Sequence, residues 1–345
     1  MNATMSSDKT KHYPVMLDQV LSIISPQHGG TFIDCTFGGG GYSAAILKYP
    51  NTKVFAIDWD NLTKKYANDL ITKFPKRFQF FQNKFSNLNK IIKSNLNPKA
   101  IIFDLGLSSF QLSDYQRGFS FMSEGSLNMQ MGLNNFSAHE VVNTMDSKNL
   151  SHLIKTLGDE KDGKIIAKKI VEYRIKKPIN TPKELSSIVC EAKKNYKKNN
   201  KNPATKTFQA IRIFVNQELT ELYLGLVAAT KILKKGGILI IVSFHSLEDR
   251  IVKYLFSSYS NLNSNPSRYL PIKKKSGFFN LISKKPLTPS KKEISTNIRS
   301  RSAKLRYAIR NDNDFFYPTE FKKRFDSYFK IEEGIRLWVW ILING

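Results

Sequence analysis

The residues with the clearest chemical potential are four consecutive glycines, Gly38 to Gly41, and three acids or amides placed after them, Asp58, Asp104 and Gln111. Glycine accepts positive φ and lets a ligand approach where any Cβ would stand in the way. A helix opening behind such a turn also offers unpaired N–H groups. The glycines lie between the apolar run Thr31 to Cys35 and the small, aliphatic run Tyr42 to Leu47, an order of strand, turn and helix that suits a nucleotide-like cofactor. Asp58 closes the next apolar run about twenty residues on, where an acid at a strand end accepts both hydroxyls of a ribose. Read from Gly39, the loop also satisfies the dinucleotide pattern Gly-x-Gly-x-x-Ala, so these residues alone leave NAD open. The next signal comes from Asp104, which ends the run Ala100 to Asp104 and leads into Leu105-Gly-Leu-Ser-Ser-Phe-Gln111. Ser108, Ser109 and Gln111 are neutral hydrogen-bonding residues, suited to an amide, an amine or a base edge and poorly suited to a hydride acceptor. Phe85, after a third apolar run, is placed to stack on an adenine.

Positioning these residues requires an open α/β sheet, in which ligands sit beyond the carboxyl ends of the strands. The apolar runs predict strands at Thr31 to Cys35, Lys53 to Asp58, Arg77 to Phe81, Ala100 to Asp104, Ile238 to Ser243 and Ser302 to Arg310. A short helix through Ile24, broken at Pro26, covers a sheet edge, and residues 60 to 75 read as helical. From Ser113 to Glu218 helical spacing dominates, with helices expected at Ser137 to Met145, Asn149 to Leu157, Gly163 to Lys176 and Pro182 to Asn195, and a further one from Pro203 leading back to the sheet. Thr207, Arg212 and Asn216 fall on its polar side, facing the cleft. The expected organisation is a discontinuous sheet domain of residues 1–112 and 219–310, an inserted helical domain at 113–218, and a tail at 311–345 with no interpretable motif. Lys193 to Asn202 reads as an exposed basic loop. Residues 262–296 interleave lysines with Tyr269, Phe278 and Phe279, as an RNA-facing arm would.

Composition narrows the partners. The chain of 345 residues has 54 Lys and Arg against 28 Asp and Glu, a formal charge of +26, and such a field attracts phosphate. Its two cysteines, Cys35 and Cys190, supply neither a disulfide framework nor a cysteine zinc site, and no metal is expected. The first ten residues lack the apolar core of a signal peptide. The apolar run Leu337 to Ile343 is far short of the roughly 20 residues that span a bilayer. A soluble, cytoplasmic protein with no membrane partner is expected.

Taken in order, the motifs Asp34-Cys-Thr-Phe-Gly-Gly-Gly-Gly-Tyr-Ser, Ala56-Ile-Asp-Trp-Asp, Asp104-Leu-Gly-Leu-Ser-Ser-Phe-Gln-Leu, Arg117-Gly-Phe-Ser-Phe, Pro203-Ala-Thr-Lys-Thr-Phe-Gln-Ala-Ile-Arg-Ile, Ser243-Phe-His-Ser-Leu-Glu-Asp-Arg-Ile-Val-Lys and Arg299-Ser-Arg-Ser-Ala-Lys-Leu-Arg resemble the RsmH (MraW) family. These are bacterial methyltransferases that modify N4 of a cytidine in the decoding centre of 16S rRNA. The resemblance runs from about His12 to Arg310 and implies a Rossmann-like S-adenosylmethionine-dependent methyltransferase sheet with an inserted helical domain. It implies S-adenosyl-L-methionine as cofactor and 16S rRNA in the small ribosomal subunit as partner, and leaves a homodimer open. Gly40, Gly41, Tyr42, Asp58, Phe85, Asp104 and Gln111 match its cofactor-binding positions, with Tyr42 where the family usually has His. Asp104, Ser108 and Ser109 are the candidates for accepting the amine's hydrogens, and His245 or Asp249 for receiving the released proton. Phe110 and Phe119 are candidates for stacking on the base. A NAD enzyme becomes remote. The chain departs from the family at Leu127-Asn-Met-Gln-Met-Gly132, where Leu-Asp-Met-Arg-Met-Asp is usual, and at Lys206 and Ile298. The neutral Asn128, Gln130 and Gly132 motivate an alternative, a catalytically weakened homologue serving as a ribosome-assembly or RNA-binding factor. A methyltransferase of DNA or protein is a third reading.

Overall fold

The computed structural model describes residues 14–92, 96–132, 136–193, 202–260 and 277–344. Seven strands form one sheet: β1 (Gly30–Asp34), β2 (Thr52–Asp58), β3 (Phe78–Gln82), β4 (Ala100–Asp104), β5 (Ile238–Ser243), β6 (Phe279–Leu281) and β7 (Lys304–Arg310), in the order β3-β2-β1-β4-β5-β7-β6. The first five in that order run parallel, while β7 is antiparallel to both β5 and β6. The chain winds outward from β1 to β3, then returns to place β4 on the other side of β1. That reversal opens a crevice at the carboxyl ends of β1 and β4, where open α/β sheets take their ligands. The strands expected from the apolar runs form within a residue or two of their expected bounds.

Side-chain alternation along the strands gives the sheet two cores. Phe32, Val54, Ala56, Ala100, Ile102, Ile240 and Val242 share one cluster with residues of α1 (Leu17–Ile24), α2 (Gly41–Leu47) and α3 (Lys64–Lys73). Ile33, Ile57, Ile101, Phe103, Leu239 and Ile241 face the other cluster, with α4 (Leu88–Ile91). Between β4 and β5 the chain forms α5 (Ser109–Ser113), α6 (Ala138–Thr144), α7 (Ser147–Gly158), α8 (Gly163–Lys176), α9 (Pro182–Ala192), α10 (Thr205–Asn216) and α11 (Glu218–Ile232). Capping explains several of these starts: Asp146 accepts two N–H groups at the head of α7, and Thr181 and Glu184 form a capping box around Pro182. Buried residues of α6 to α10, among them Val141, Leu153, Ile166, Leu185 and Ile211, belong to the same cluster as the sheet's second face. The inserted helices thus share a core with the sheet.

The structure changes two expectations and adds a helix in the tail. Lys193, assigned to an exposed basic loop, has its side chain only 7% exposed and paired with Glu160 at 2.7 Å; residues 194–201 lie outside the described residues. Phe278 and Phe279, assigned to an RNA-facing arm, are fully buried. Phe279 begins β6 and stands edge-on to Phe256 of α12 (Ser246–Ser258), and Phe278 stacks on Tyr259. Pairing with β7 some thirty residues later draws these aromatics inward, while Tyr269 lies outside the described residues. The tail, after α13 (Lys291–Thr296) and β7, forms α14 (Thr319–Asn344). Phe321, Phe325 and Phe329 recur at helical spacing and pack on Tyr223 and Tyr254. Among the described residues no helix is long and apolar enough to cross a membrane.

Candidate active site

A cavity lies over the carboxyl ends of β1, β2 and β4, lined by the glycine turn and by the loops that follow these strands. The glycine turn forms its floor. Gly38 donates its N–H to Asp58 Oδ2 at 2.8 Å. A Cβ on Gly39 would meet nothing within 4 Å among the described residues, and Gly39 lines the cavity. Gly40, at φ 78°, is the left-handed residue before α2, and a Cβ there would come within 2.8 Å of the Phe37 ring. Gly41 is closed on its Cβ side by Pro14, at 2.3 Å. Of the glycines, Gly38, Gly39 and Gly41 line the cavity, while Gly40 supplies the turn that presents them. Tyr42 also lines it, but its hydroxyl is buried and donates to the Val15 carbonyl.

Asp58 takes a second N–H from Asp60 at 2.9 Å. Burial pushes its carboxyl up to about 7, against the pull of the two donated hydrogen bonds. Asp104 holds β4 to the glycine strand through its own N–H, donated to Thr36 Oγ1 at 2.7 Å. Its Oδ1 is buried with no partner among the described residues, and burial, with Asp34 and Glu248 nearby, pushes the carboxyl well above its usual range. Beyond it, Gly106 takes φ 97°, and the Phe244 ring lies 3.3 Å from where its Cβ would stand. Ser108 caps α5: its Oγ accepts from Gln111 N while Gln111 Oε1 accepts from Ser108 N at 2.9 Å. Gln111 Nε2 donates to Asp60 at 2.7 Å, so this amide ties the loop after β4 to the loop after β2. Ser109 opens α5. Phe85 lines the cavity and stands edge-on to Phe103, with ring centres 5.4 Å apart. Phe110 lines the cavity beside Tyr66, whereas Phe119 is core.

The acids and bases of α12 divide differently from the sequence expectation. His245 is the N-cap of α12: its Nδ1 accepts from Glu248 N at 3.4 Å, and its Nε2 lies 3.1 Å from Glu248 Oε1, outside hydrogen-bonding angles. Glu248, rather than His245, lines the cavity. Although burial opposes it, His245 and Arg212 nearby and the N–H of Phe244 hold the Glu248 carboxyl below its usual range. Asp249 is engaged by Arg306 at 2.7 Å and Lys304 at 3.0 Å and is absent from the cavity wall. Glu218, His245 and Glu248 hold ligand-type atoms within 4.8 Å of one another. Arg212 already binds both oxygens of Glu218 at 2.8 Å, so this carboxylate is engaged by a guanidinium. Of the residues expected on α10's polar side, Asn216 reaches the cavity and Thr207 is buried within the helical layer.

The neutralised segment forms part of the same wall. Asn216 Oδ1 accepts from Met131 N and its Nδ2 donates to Met129 O, each at 2.8 Å. Arg117 bridges Asp60, at 2.6 Å, and the Gln130 carbonyl, at 2.8 Å. Asn128 Oδ1 accepts from Gln130 N, and Gln130 Nε2 donates to Phe136 O. Gly132 sits where a Cβ would come within 2.9 Å of the Trp59 carbonyl. Neutral amides therefore hold this segment in place without the usual charges. Glu218, Glu221, Glu248, Asn216 and Trp59 line the cavity but were not expected there, except for Asn216; only the packing of α11 and α12 on the sheet brings the three glutamates to one place.

A family model described as the MraW methylase family matches residues 9–311. The chain belongs to the MraW methylase family. It is similar to proteins named ribosomal RNA small subunit methyltransferase H. The protein from Ehrlichia chaffeensis is 46% identical over 303 residues, covering 87% of this chain and 99% of the relative. That from Ehrlichia canis is 45% identical over 302 residues, with the same coverage. The Hyphomonas neptunium protein is 42% identical over 307 residues, 88% of this chain and 90% of the relative. Membership in the MraW methylase family brings its chemistry, methyl transfer dependent on S-adenosylmethionine. The cavity's own features fit that cofactor: a Cβ-free floor at Gly39, a ribose-type acid at Asp58 and an unpartnered carboxyl oxygen at Asp104. The family match ends one residue after β7, and α14 lies beyond it.

Proposed function

We propose that this MraW-family chain methylates N4 of a cytidine in the decoding centre of 16S rRNA, using S-adenosylmethionine. The observation that carries this reading is the unpartnered Oδ1 of Asp104, buried in the cavity between the glycine turn and the Ser108 cap. When bound, the cofactor supplies its own electrophile and leaving group, a methyl on a sulfonium. The protein's work is alignment. Asp58 holds the ribose, Gly39, Gly41 and Tyr42 bound the cofactor's path with Gly40 shaping the turn, Phe85 flanks the adenine, and Gln111 fixes the two loops that close over it. Asp104 and Ser108 accept the amine's hydrogens and turn the N4 lone pair toward the methyl, with Ser109 opening the same cap. The base enters unstacked, with Phe110 and Phe244 available as flat walls. The released proton goes to Glu248, which lines the cavity ionised, with His245 beside it as positioning partner. The helices at 113–218 serve as the substrate-recognition part. The self-satisfied hydrogen bonding of Asn128 and Gln130 supports an active enzyme over a weakened assembly factor.

The test is transfer of labelled methyl from S-adenosylmethionine to small ribosomal subunits lacking the modification, with the labelled nucleoside identified by mass spectrometry. N4-methylcytidine in the decoding-centre segment is expected. Cofactor binding without label transfer would overturn this reading in favour of the assembly factor.

A further inference from the structure

Glu221 stands in the first turn of α11, and its side chain lines the cavity. Its Oε1 lies 3.6 Å from Lys84 Nζ, while its Oε2 is buried with no hydrogen-bond partner among the described residues. A buried carboxylate oxygen left unsatisfied is costly, and at a ligand site it marks the position of a missing donor.

The surroundings say what kind of donor. Trp59 follows Asp58 directly, and Lys84 Nζ lies 4.6 Å from the centre of the Trp59 ring. Lys84 itself comes just after Gln82, the residue in register with Asp58 across β2 and β3. Gly225, one turn after Glu221, backs onto Phe85, whose ring lies 2.5 Å from where a Cβ would be. Glu221, Trp59 and Phe85 all line the cavity, together with the acid that suits a ribose. A flat heteroaromatic ring fills such a space, and an exocyclic amine on it would satisfy Oε2.

Resting on the cofactor reading above, we infer that Glu221 Oε2 accepts a hydrogen bond from the exocyclic amine of the cofactor's adenine, making Glu221 a specificity residue for adenosine over inosine. In hypoxanthine the amine is replaced by a carbonyl, which would face the carboxylate with a second acceptor. The wild-type site then rejects that base by both a lost bond and a repulsion.

The experiment is calorimetric binding of S-adenosylhomocysteine and S-inosylhomocysteine to the full chain, wild type and the variants Glu221→Ala and Glu221→Gln, each checked for an unchanged melting midpoint. Wild type is expected to prefer the adenosine ligand by at least about tenfold. Glu221→Ala should bring the two dissociation constants to within about threefold, because neither base then meets a buried acceptor. Glu221→Gln, whose amide can donate to the carbonyl, should shift the preference toward inosine and keeps the test available if the alanine variant does not fold. Equal binding of both ligands by wild type, or discrimination that survives in both variants, would overturn the assignment and leave Glu221 as a partner of Lys84 alone. Failure of wild type to bind either ligand would overturn the cofactor reading as well.

Discussion

Asp58 is a carboxyl held by the backbone and perturbed by burial. Two backbone N–H groups fix its orientation, yet burial still raises its pKa from 3.8 to about 7. Since the folded value lies above the unfolded one, this group's contribution to stability is full below about pH 4 and is lost as pH rises through about 7. Ribose hydroxyls donate hydrogen bonds and so prefer the ionised form. Binding of S-adenosylhomocysteine should therefore tighten as pH rises from about 6 to about 8, by less than tenfold per unit, as one proton is released. Calorimetry across that range checks this, and a flat profile would count against it. Asp58→Ala should lose cofactor binding while keeping the fold; near-normal affinity in that variant would remove the ribose role.

At the scale of elements, the least expected feature is the contact between α14 and the head of α11. Glu332 is fully buried, and its carboxylate accepts from Leu219 N at 3.0 Å, from Thr220 N at 2.7 Å and from the Thr220 hydroxyl. A helix outside the family match thus caps the helix that carries Glu218, Glu221 and Leu222 into the cavity. Glu332→Ala should leave those donors unsatisfied and cost about 2 kcal/mol, seen as a lower denaturation midpoint, and bound S-adenosylhomocysteine should recover part of the loss by mass action. An unchanged midpoint would show that water replaces the cap at no cost. This element also marks where the sequence was hard to read. β2, β4 and β5 were legible because buried parallel strands are continuous apolar runs, here ended by a polar residue. Phe321, Phe325 and Phe329 carried a helical period among polar neighbours, but no local feature said what their face would cover. Phe278 and Phe279 were misplaced because the lysines around them suggest exposure, whereas β7 decides their burial from a distance. Asp58 and Asp104 could be found because each ends a strand. Glu221 and Glu248 belong to ordinary helix starts, and only tertiary packing turns them toward the cavity.

For the whole molecule, the cavity and the overall charge of the chain have opposite signs. The cavity gathers acids, Asp58, Asp104, Glu218, Glu221 and Glu248, within a protein of net charge +26. An anionic polymer is thus attracted to the exterior, while the buried acids favour neutral or cationic groups that reach inside, such as a base amine or a sulfonium. Arg299 is exposed and also lines the cavity, with Asn297. RNA affinity should therefore fall steeply with salt, by on the order of a thousandfold between about 50 and 200 mM if some six phosphates are contacted. S-adenosylhomocysteine affinity, set in the buried cavity, should change little over the same range. Arg299→Ala should weaken RNA binding and reduce the magnitude of the log–log salt slope by about one, as expected for one lost phosphate contact, with cofactor affinity retained. Filter binding of a decoding-centre RNA fragment at several salt concentrations, beside cofactor calorimetry, separates these outcomes. A salt slope near zero would remove backbone contact from the account of RNA binding, and an unchanged slope in the Arg299 variant would place the contacted phosphates elsewhere on the basic surface.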